Sequence, residues 1–392
     1  MIKATHCFPN FHSLGGVEAM LNLHYEVDAS FGFESRFIVY YEKTTTFPKR
    51  VHPLGFVPEM KYAEAQRRVK SVVNEHPSQI TVYHGLWGVP WLAPLDSAKR
   101  RVLVIHGKHP GLERLLVRNG HLFDGIAGTS DEVLEISRRM LPDFPEDRRL
   151  YLPYAVHPPS LPTREPFHPN RPLVIGFSSR LLVEQKRVDR LPQFIEELDK
   201  TGINYRFEFL GDGPDRGWLE QKFSDRKRFI FHGRQSGVDY WKRLASWDCI
   251  FFCSDYEGTP ISMLEGLAVG VIPVFPRIGC GGDRYVGAVR PESLYDPGNM
   301  EQAAASFQTI AKSLPHDWVE WQTGATRSVV DHVGDAYFRR FSGFLNEIIR
   351  REPISKSEFE WRGFPLNQLT FNGANRVDKW RGIIRKWMGR TN

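Results

Sequence analysis

The stretch Ser254-Asp255-Tyr256-Glu257-Gly258-Thr259-Pro260-Ile261-Ser262-Met263-Leu264-Glu265-Gly266-Leu267-Ala268-Val269-Gly270 decides how the chain is read. The run 248–253 before it has the composition of a buried strand. Gly258 marks a turn, and Pro260 suits a first helical position, where a missing N–H costs nothing. A strand, a tight turn and a helix start leave the N–H groups of Thr259, Ile261 and Ser262 at the helix head, ready for an anion. Glu257 precedes that head and Glu265 lies about one turn inside it. Two carboxylates repel an anion, so they suit hydroxyl groups on either side of it. Taken alone, the same residues also fit an ordinary helix with an acidic flank.

Working outward, the segment Phe177-Ser-Ser-Arg180-Leu-Leu-Val-Glu-Gln-Lys186-Arg187-Val-Asp189 follows an apolar run at 173–178. Arg180 and Lys186 fall in the loop at the C-terminal end of that strand, where fixed cations can stabilise an anionic leaving group. Phe209-Leu-Gly-Asp-Gly-Pro214 reads as a strand, a glycine turn and a helix start. Further strands are expected at 205–210, 228–232, 248–253 and 271–275. The first half shows the same alternation, with strands at 2–8, 36–41, 80–84, 101–106 and 123–128 and helices at 17–30, 62–76 and 130–140. Strands separated by helices imply parallel sheets covered on both faces. Between them, Pro158, Pro159, Pro162, Pro166 and Pro169 interrupt any helix or central strand. The expected plan is a first domain over 1–160, a linker over 161–171, a second domain over 172–340 and C-terminal helices over 341–392. Those helices are expected to pack back on the first domain. Two doubly wound α/β domains then face one another across a cleft, with ligands at the strand C-termini.

A length of 392 residues, 41% hydrophobic and 25% charged, suits two globular domains. No apolar run is long enough to span a membrane, and the start lacks a signal core. Cys7, Cys249, Cys253 and Cys280 form no paired framework, which points to reduced thiols and a cytoplasmic setting. No CxxC or HExxH pattern occurs, so no metal site is expected. The net charge of +6 is carried by the C-terminal tail, where ten Lys/Arg face four Asp/Glu from Arg350 to Asn392. A balanced body argues against a nucleic-acid groove. Over 373–392, Val377, Trp380, Ile384, Trp387 and Met388 form an apolar stripe among basic residues. That pattern fits both an anionic membrane surface and packing on the first domain.

In this order the motifs resemble the retaining GT-B glycosyltransferases with a Glu-x7-Glu pattern, which build bacterial surface polysaccharides, glycogen and mannosides. The matching residues are Arg180 and Lys186, Gly211–Pro214, Phe231-His232-Gly233, and Glu257 with Glu265. The resemblance implies a nucleotide-sugar donor (UDP-, GDP- or ADP-linked), a glycan or lipid-linked acceptor, and no metal or other cofactor. It implies that Arg180 and Lys186 contact the donor diphosphate, Glu257 the transferred sugar and Glu265 the ribose. Gly258, Thr259, Pro260 and Ile261 would form the helix head beside the donor, and Gly233 and Arg234 would border the base. In the first half, Gly15 and Gly16 resemble the family's glycine loop, and His106 its strand-end histidine facing the donor sugar. Arg187 departs from the family, standing where many members carry glycine. The Gly281-Gly282 element departs too, running on into Asp283-Arg284-Tyr285. Two other readings remain open at this point: a nucleotide-sugar epimerase or hydrolase on the same fold, and a GT-B protein that only binds.

Overall fold

The computed structural model describes residues 1–354, apart from 13–14, 43–45, 87–92, 94–95, 97, 99, 110, 162 and 226, together with residue 370. The tail stripe at 373–392 lies outside the described residues. The first sheet contains β1 (Ile2–Phe8), β2 (Phe33–Val39), β3 (Val51–Pro53), β4 (Ile80–His84), β5 (Arg100–Ile105), β6 (Gly125–Gly128) and β7 (Arg149–Tyr151). Its order is β3-β2-β1-β4-β5-β6-β7, with every pair parallel. The second sheet contains β8 (Leu173–Ser178), β9 (Tyr205–Leu210), β10 (Phe229–Phe231), β11 (Cys249–Phe251), β12 (Ile272–Pro276) and β13 (Leu294–Tyr295). Its order is β10-β9-β8-β11-β12-β13, again all parallel. The two α/β layers of the GT-B fold are therefore present. β3, β7 and β13, of two or three residues each, are not among the strands expected from the sequence.

Parallel strands are covered on both faces, and the buried β8 accordingly reads as continuous apolar or small residues. Strand order reverses between β1 and β4 in one sheet and between β8 and β11 in the other. Each reversal opens a crevice at the strand C-termini. The loops after β1, β5, β8 and β11 meet there.

The chain crosses between the layers twice. The outward pass runs through Val156, and Arg164 pins the proline-rich segment to the second domain through the carbonyls of Trp247, Val269 and Gly270. The return pass follows helix Met300–Ser328, ahead of position 340. Here Val156 N–H donates to His332 O at 2.9 Å and Gly334 N–H to Val156 O at 3.1 Å. Helix Ala336–Arg350 then covers the first sheet, burying Tyr337, Phe338, Phe341, Phe344, Leu345 and Ile348. Arg100 donates to the carbonyl of Ile348 at 3.1 Å, and Arg148 to that of Glu352 at 2.8 Å.

One buried charge sits inside the second layer. Glu208, on β9, is fully buried and takes hydrogen bonds from Trp247 Nε1 at 3.0 Å and from His232 Nε2 at 2.8 Å. Burial alone would raise its pKa, but His232, Trp247 and Arg206 outweigh it and bring the carboxyl down to about 2. Trp247 reaches Glu208 by lying flat over Gly176, where a Cβ would come within 1.9 Å of its ring. Gly176→Ala therefore overpacks the core, at a cost of about 1–3 kcal/mol. Thermal unfolding should show a lowered midpoint, and an unchanged one would mean that Trp247 is not held against the backbone.

Candidate active site

The loop after β11 turns through Glu257 and Gly258 into helix Ile261–Ala268. Pro260 is the N-cap of that helix, with φ −61° and ψ 123°, and Ile261 is its first residue. This places Pro260 one step earlier than the sequence reading. The N–H groups of Ile261 and Ser262 stand in the first turn, where no intrahelical carbonyl reaches them. Thr259 is buried and donates its hydroxyl to the carbonyl of Thr129 at 2.8 Å, across the cleft.

Gly258 itself touches the first domain. It forms an antiparallel bridge with Gly107, and a Cβ on Gly258 would lie 2.2 Å from the carbonyl oxygen of His106. Gly16 meets the same helix from the other side, since a Cβ there would lie 2.7 Å from Ile261 Cδ1. Gly15 is the N-cap of helix Gly16–Val27. The glycines of the first loop and the helix head of the second domain are thus brought together.

Lys186 ends the short helix Val183–Lys186, and its Nζ lies 2.5 Å from Glu257 Oε1. Ser254 donates to the same oxygen at 2.6 Å, and Gln185 Nε2 reaches Glu257 Oε2 at 3.4 Å. Both members of the pair are largely buried, with side chains 19% and 7% exposed. Sequence reasoning gave these residues separate partners, diphosphate and sugar; in the structure they hold one another. Arg187 follows in the left-handed region at φ 51°, a conformation that favours glycine. It is anchored there by Asp189 at 2.9 Å and Asp255 at 2.7 Å. Arg180 is exposed on the same loop, and Arg234 is exposed beside Gly233, which adopts φ 67°.

Glu265 accepts a hydrogen bond from the Tyr240 hydroxyl, which also lies 3.5 Å from Ser178 Oγ. Burial pushes the Glu265 carboxyl up to about 7, against the Tyr240 bond, which favours ionisation. His106 follows β5, and both of its ring nitrogens are engaged inside the first domain. Nε2 lies 3.1 Å from His84 Nδ1, and Nδ1 lies 2.8 Å from the Tyr154 hydroxyl.

Sequence reasoning missed Ser254, Gln185, Tyr240 and Tyr154, which carry no motif of their own. It also passed over His6, which with His84 and His106 makes a visible set of histidines near the ends of three strands. Asp283, which departs from the family pattern, closes a capping box with Cys280 at the head of helix Gly281–Val289.

An acid whose pKa is higher folded than unfolded binds more protons in the folded state. Between the ordinary 4.5 and about 7, the contribution of Glu265 to stability therefore falls as pH rises, and it stays lost above 7. Glu265→Gln removes that dependence. Its thermal midpoint relative to wild type should be higher at about pH 8 than at about pH 5. Parallel curves for the two proteins would rule out a raised Glu265.

Residues 163–320 match the family model described as glycosyl transferases group 1. The chain is 26% identical over 248 residues to a 2-deoxystreptamine glucosyltransferase of Streptomyces kanamyceticus. That alignment covers 62% of this chain and 61% of the relative's length. Among solved structures, TarM of S. aureus, in complex with Fondaparinux, alpha-GlcNAc-glycerol and UDP, is similar at a TM-score of 0.72 and 12% identity. The similarity covers 90% of this chain and 100% of that one. The lipopolysaccharide outer core galactosyltransferase WaaB gives a TM-score of 0.68 at 14% identity, covering 88% and 99%. The pneumococcal O-GlcNAc transferase GtfA, in complex with UDP and GlcNAc, gives 0.69 at 9%, covering 89% and 99%. With its helix head, cation loop and facing first layer, the chain is built on the GT-B frame, and residues 163–320 match the group 1 glycosyl transferases.

Proposed function

We propose that the chain transfers a sugar from a nucleotide-sugar donor to a glycan or lipid-linked acceptor, with retention of anomeric configuration and without a metal ion. The carrying observation is the Lys186–Glu257 pair, held at the mouth of the crevice beside the head of helix Ile261–Ala268. An arriving diphosphate finds N–H groups at the helix head and a cation within the same few ångströms of loop. Lys186 then shifts from Glu257 towards the leaving group and stabilises its charge as the glycosidic bond breaks. Glu257, released from the lysine, accepts hydrogen bonds from sugar hydroxyls. Glu265, lying deeper and held by Tyr240, is suited to ribose hydroxyls.

No group in the crevice is placed as a carboxylate nucleophile in this scheme. Front-face attack, with the departing phosphate taking the acceptor proton, needs only position and electrostatics from the protein. The named complexes of TarM and GtfA with UDP support a uridine donor, with GDP- and ADP-sugars as the comparison set. A role in bacterial surface polysaccharide synthesis accords with the lipopolysaccharide galactosyltransferase among the similar structures. No helix among the described residues is long and apolar enough to cross a membrane, so a lipid-linked acceptor would be met at a surface.

The test begins with thermal stabilisation by UDP-, GDP- and ADP-sugars, since a bound donor stabilises the fold by mass action. Transfer is then assayed with the donor that stabilises. Lys186→Ala should lower kcat by about 10²–10³-fold. Glu257→Gln should impair kcat, and Glu265→Gln mainly donor affinity. EDTA should leave the rate intact. Wild-type-like rates in the Lys186 and Glu257 variants, or strict dependence on a divalent ion, would contradict the scheme.

A further inference from the structure

Behind His106 runs a line of buried imidazoles that the transfer scheme leaves unused. His6 stands on β1, His84 ends β4 and His106 follows β5, three adjacent strands. The register sets His6 beside Val82 and His84 beside Val104. Each histidine therefore sits two residues further along than the partner of the one before it. Residues two apart share a face, so the three rings climb one face diagonally towards the cleft. His6 Nδ1 lies 2.9 Å from His84 Nε2, and His84 Nδ1 lies 3.1 Å from His106 Nε2. Ring centroids are 5.2 Å apart at both steps.

The inner end of the line is Asp28. Its Oδ2 lies 3.2 Å from His6 Nε2 and its Oδ1 2.8 Å from His24 Nδ1, and the Ser35 hydroxyl donates to Oδ2. Burial would raise its pKa, but His24 and His6 outweigh burial and hold the carboxyl well below the usual range. An ionised carboxylate only accepts hydrogen bonds, so His6 Nε2 must carry a hydrogen. Burial lowers the pKa of His6 and His84 and brings His106 to about 3, so each ring is neutral and has a single N–H. The rest follows by exclusion. His6 Nδ1 accepts, so His84 Nε2 donates. His84 Nδ1 then accepts, so His106 Nε2 donates. His106 Nδ1 is left as an acceptor, facing the Tyr154 hydroxyl at 2.8 Å.

We infer that Asp28, His6 and His84 are positioning residues that fix His106 as the Nε2–H tautomer, so that its Nδ1 accepts from the Tyr154 hydroxyl and it has no proton to give the cleft. The catalytic consequence rests on the transfer reading; the tautomer does not. His106 then receives the hydrogen of the Tyr154 hydroxyl, and it cannot protonate a leaving group. Substituting the anchor by a group that also donates removes the polarity of the whole line, as an Asp-to-Asn change does in a catalytic triad.

The test uses the full chain with isotope-labelled histidine. Proton–nitrogen correlation spectra at neutral pH report which ring nitrogen carries each hydrogen, with no substrate present. In the wild type, His6, His84 and His106 should all be Nε2–H. Asp28→Asn can offer an amide N–H to His6, and it should shift His106 away from the single Nε2–H form. A kcat lowered by about tenfold, with donor KM retained, is the expected cost of one misdirected hydrogen bond. His106 charged or Nδ1–H in the wild type overturns the inference by itself, even if the variant fails to fold. So does an unchanged His106 tautomer in a folded Asp28→Asn. His6, His24 and Asp28 place ligand atoms within 4.8 Å of one another, so a tightly bound equivalent of zinc there would overturn it as well. Wild-type protein with the expected tautomers and no transfer would remove the proposed function and leave this inference standing.

Discussion

The crevice depends on one contact between backbones. Gly258 and Gly107 approach so closely that a single added methyl carbon at Gly258 would overlap the carbonyl of His106. Side chains normally keep two domains apart by their own bulk, and here that spacer is absent. The head of helix Ile261–Ala268 is consequently set directly against the end of β5. The hydroxyl bond from Thr259 to Thr129 and the Arg284–Asp131 ion pair at 2.6 Å fasten the same edge. Every group assigned to the donor from either layer is measured from this contact.

The electrostatics of the site follow from how tightly its edge is closed. A lysine and a glutamate that both serve a ligand would each lose hydration in a closed crevice with nothing bound. Pairing Lys186 with Glu257, and giving the glutamate further donors in Ser254 and Gln185, satisfies both charges in the meantime. Removing one partner alone leaves the other buried and uncompensated, which is the costly case for ion pairs out of water. Glu265 is treated differently. Among the described residues it is held by the neutral Tyr240 hydroxyl, and burial raises its pKa. The two glutamates of one motif thus occupy different electrostatic settings, one in the loop before the helix and one inside it.

Much of this was legible in the residues. The long strands and the helix after β11 announce themselves by apolar runs followed by glycine and proline, because local sterics decide such turns. The four motifs of the second half are local as well, each contained in one loop. What the sequence did not disclose depends on distance along the chain. Tyr240 meets Glu265, and Tyr154 meets His106, through sheet order alone. The engagement of both His106 nitrogens was equally hidden, since it needs β1, β4 and β5 to be neighbours. Arg187 looked like a departure from pattern. Its left-handed backbone shows why glycine suits that position, and Asp189 and Asp255 show what holds an arginine there.

Helix Ala336–Arg350 returns from the second layer to cover the first, and that order has a consequence for biosynthesis. Its buried aromatic face closes over His24 and Phe31 and against Gly125. A nascent first layer made only of residues before Val156 therefore has an uncovered apolar face. The whole second layer must emerge before the missing helix arrives. Domains generally fold in order of synthesis, and exposed apolar surface invites aggregation in the interval. The first layer is translated first and finished last, so its completion waits on the domain that follows it.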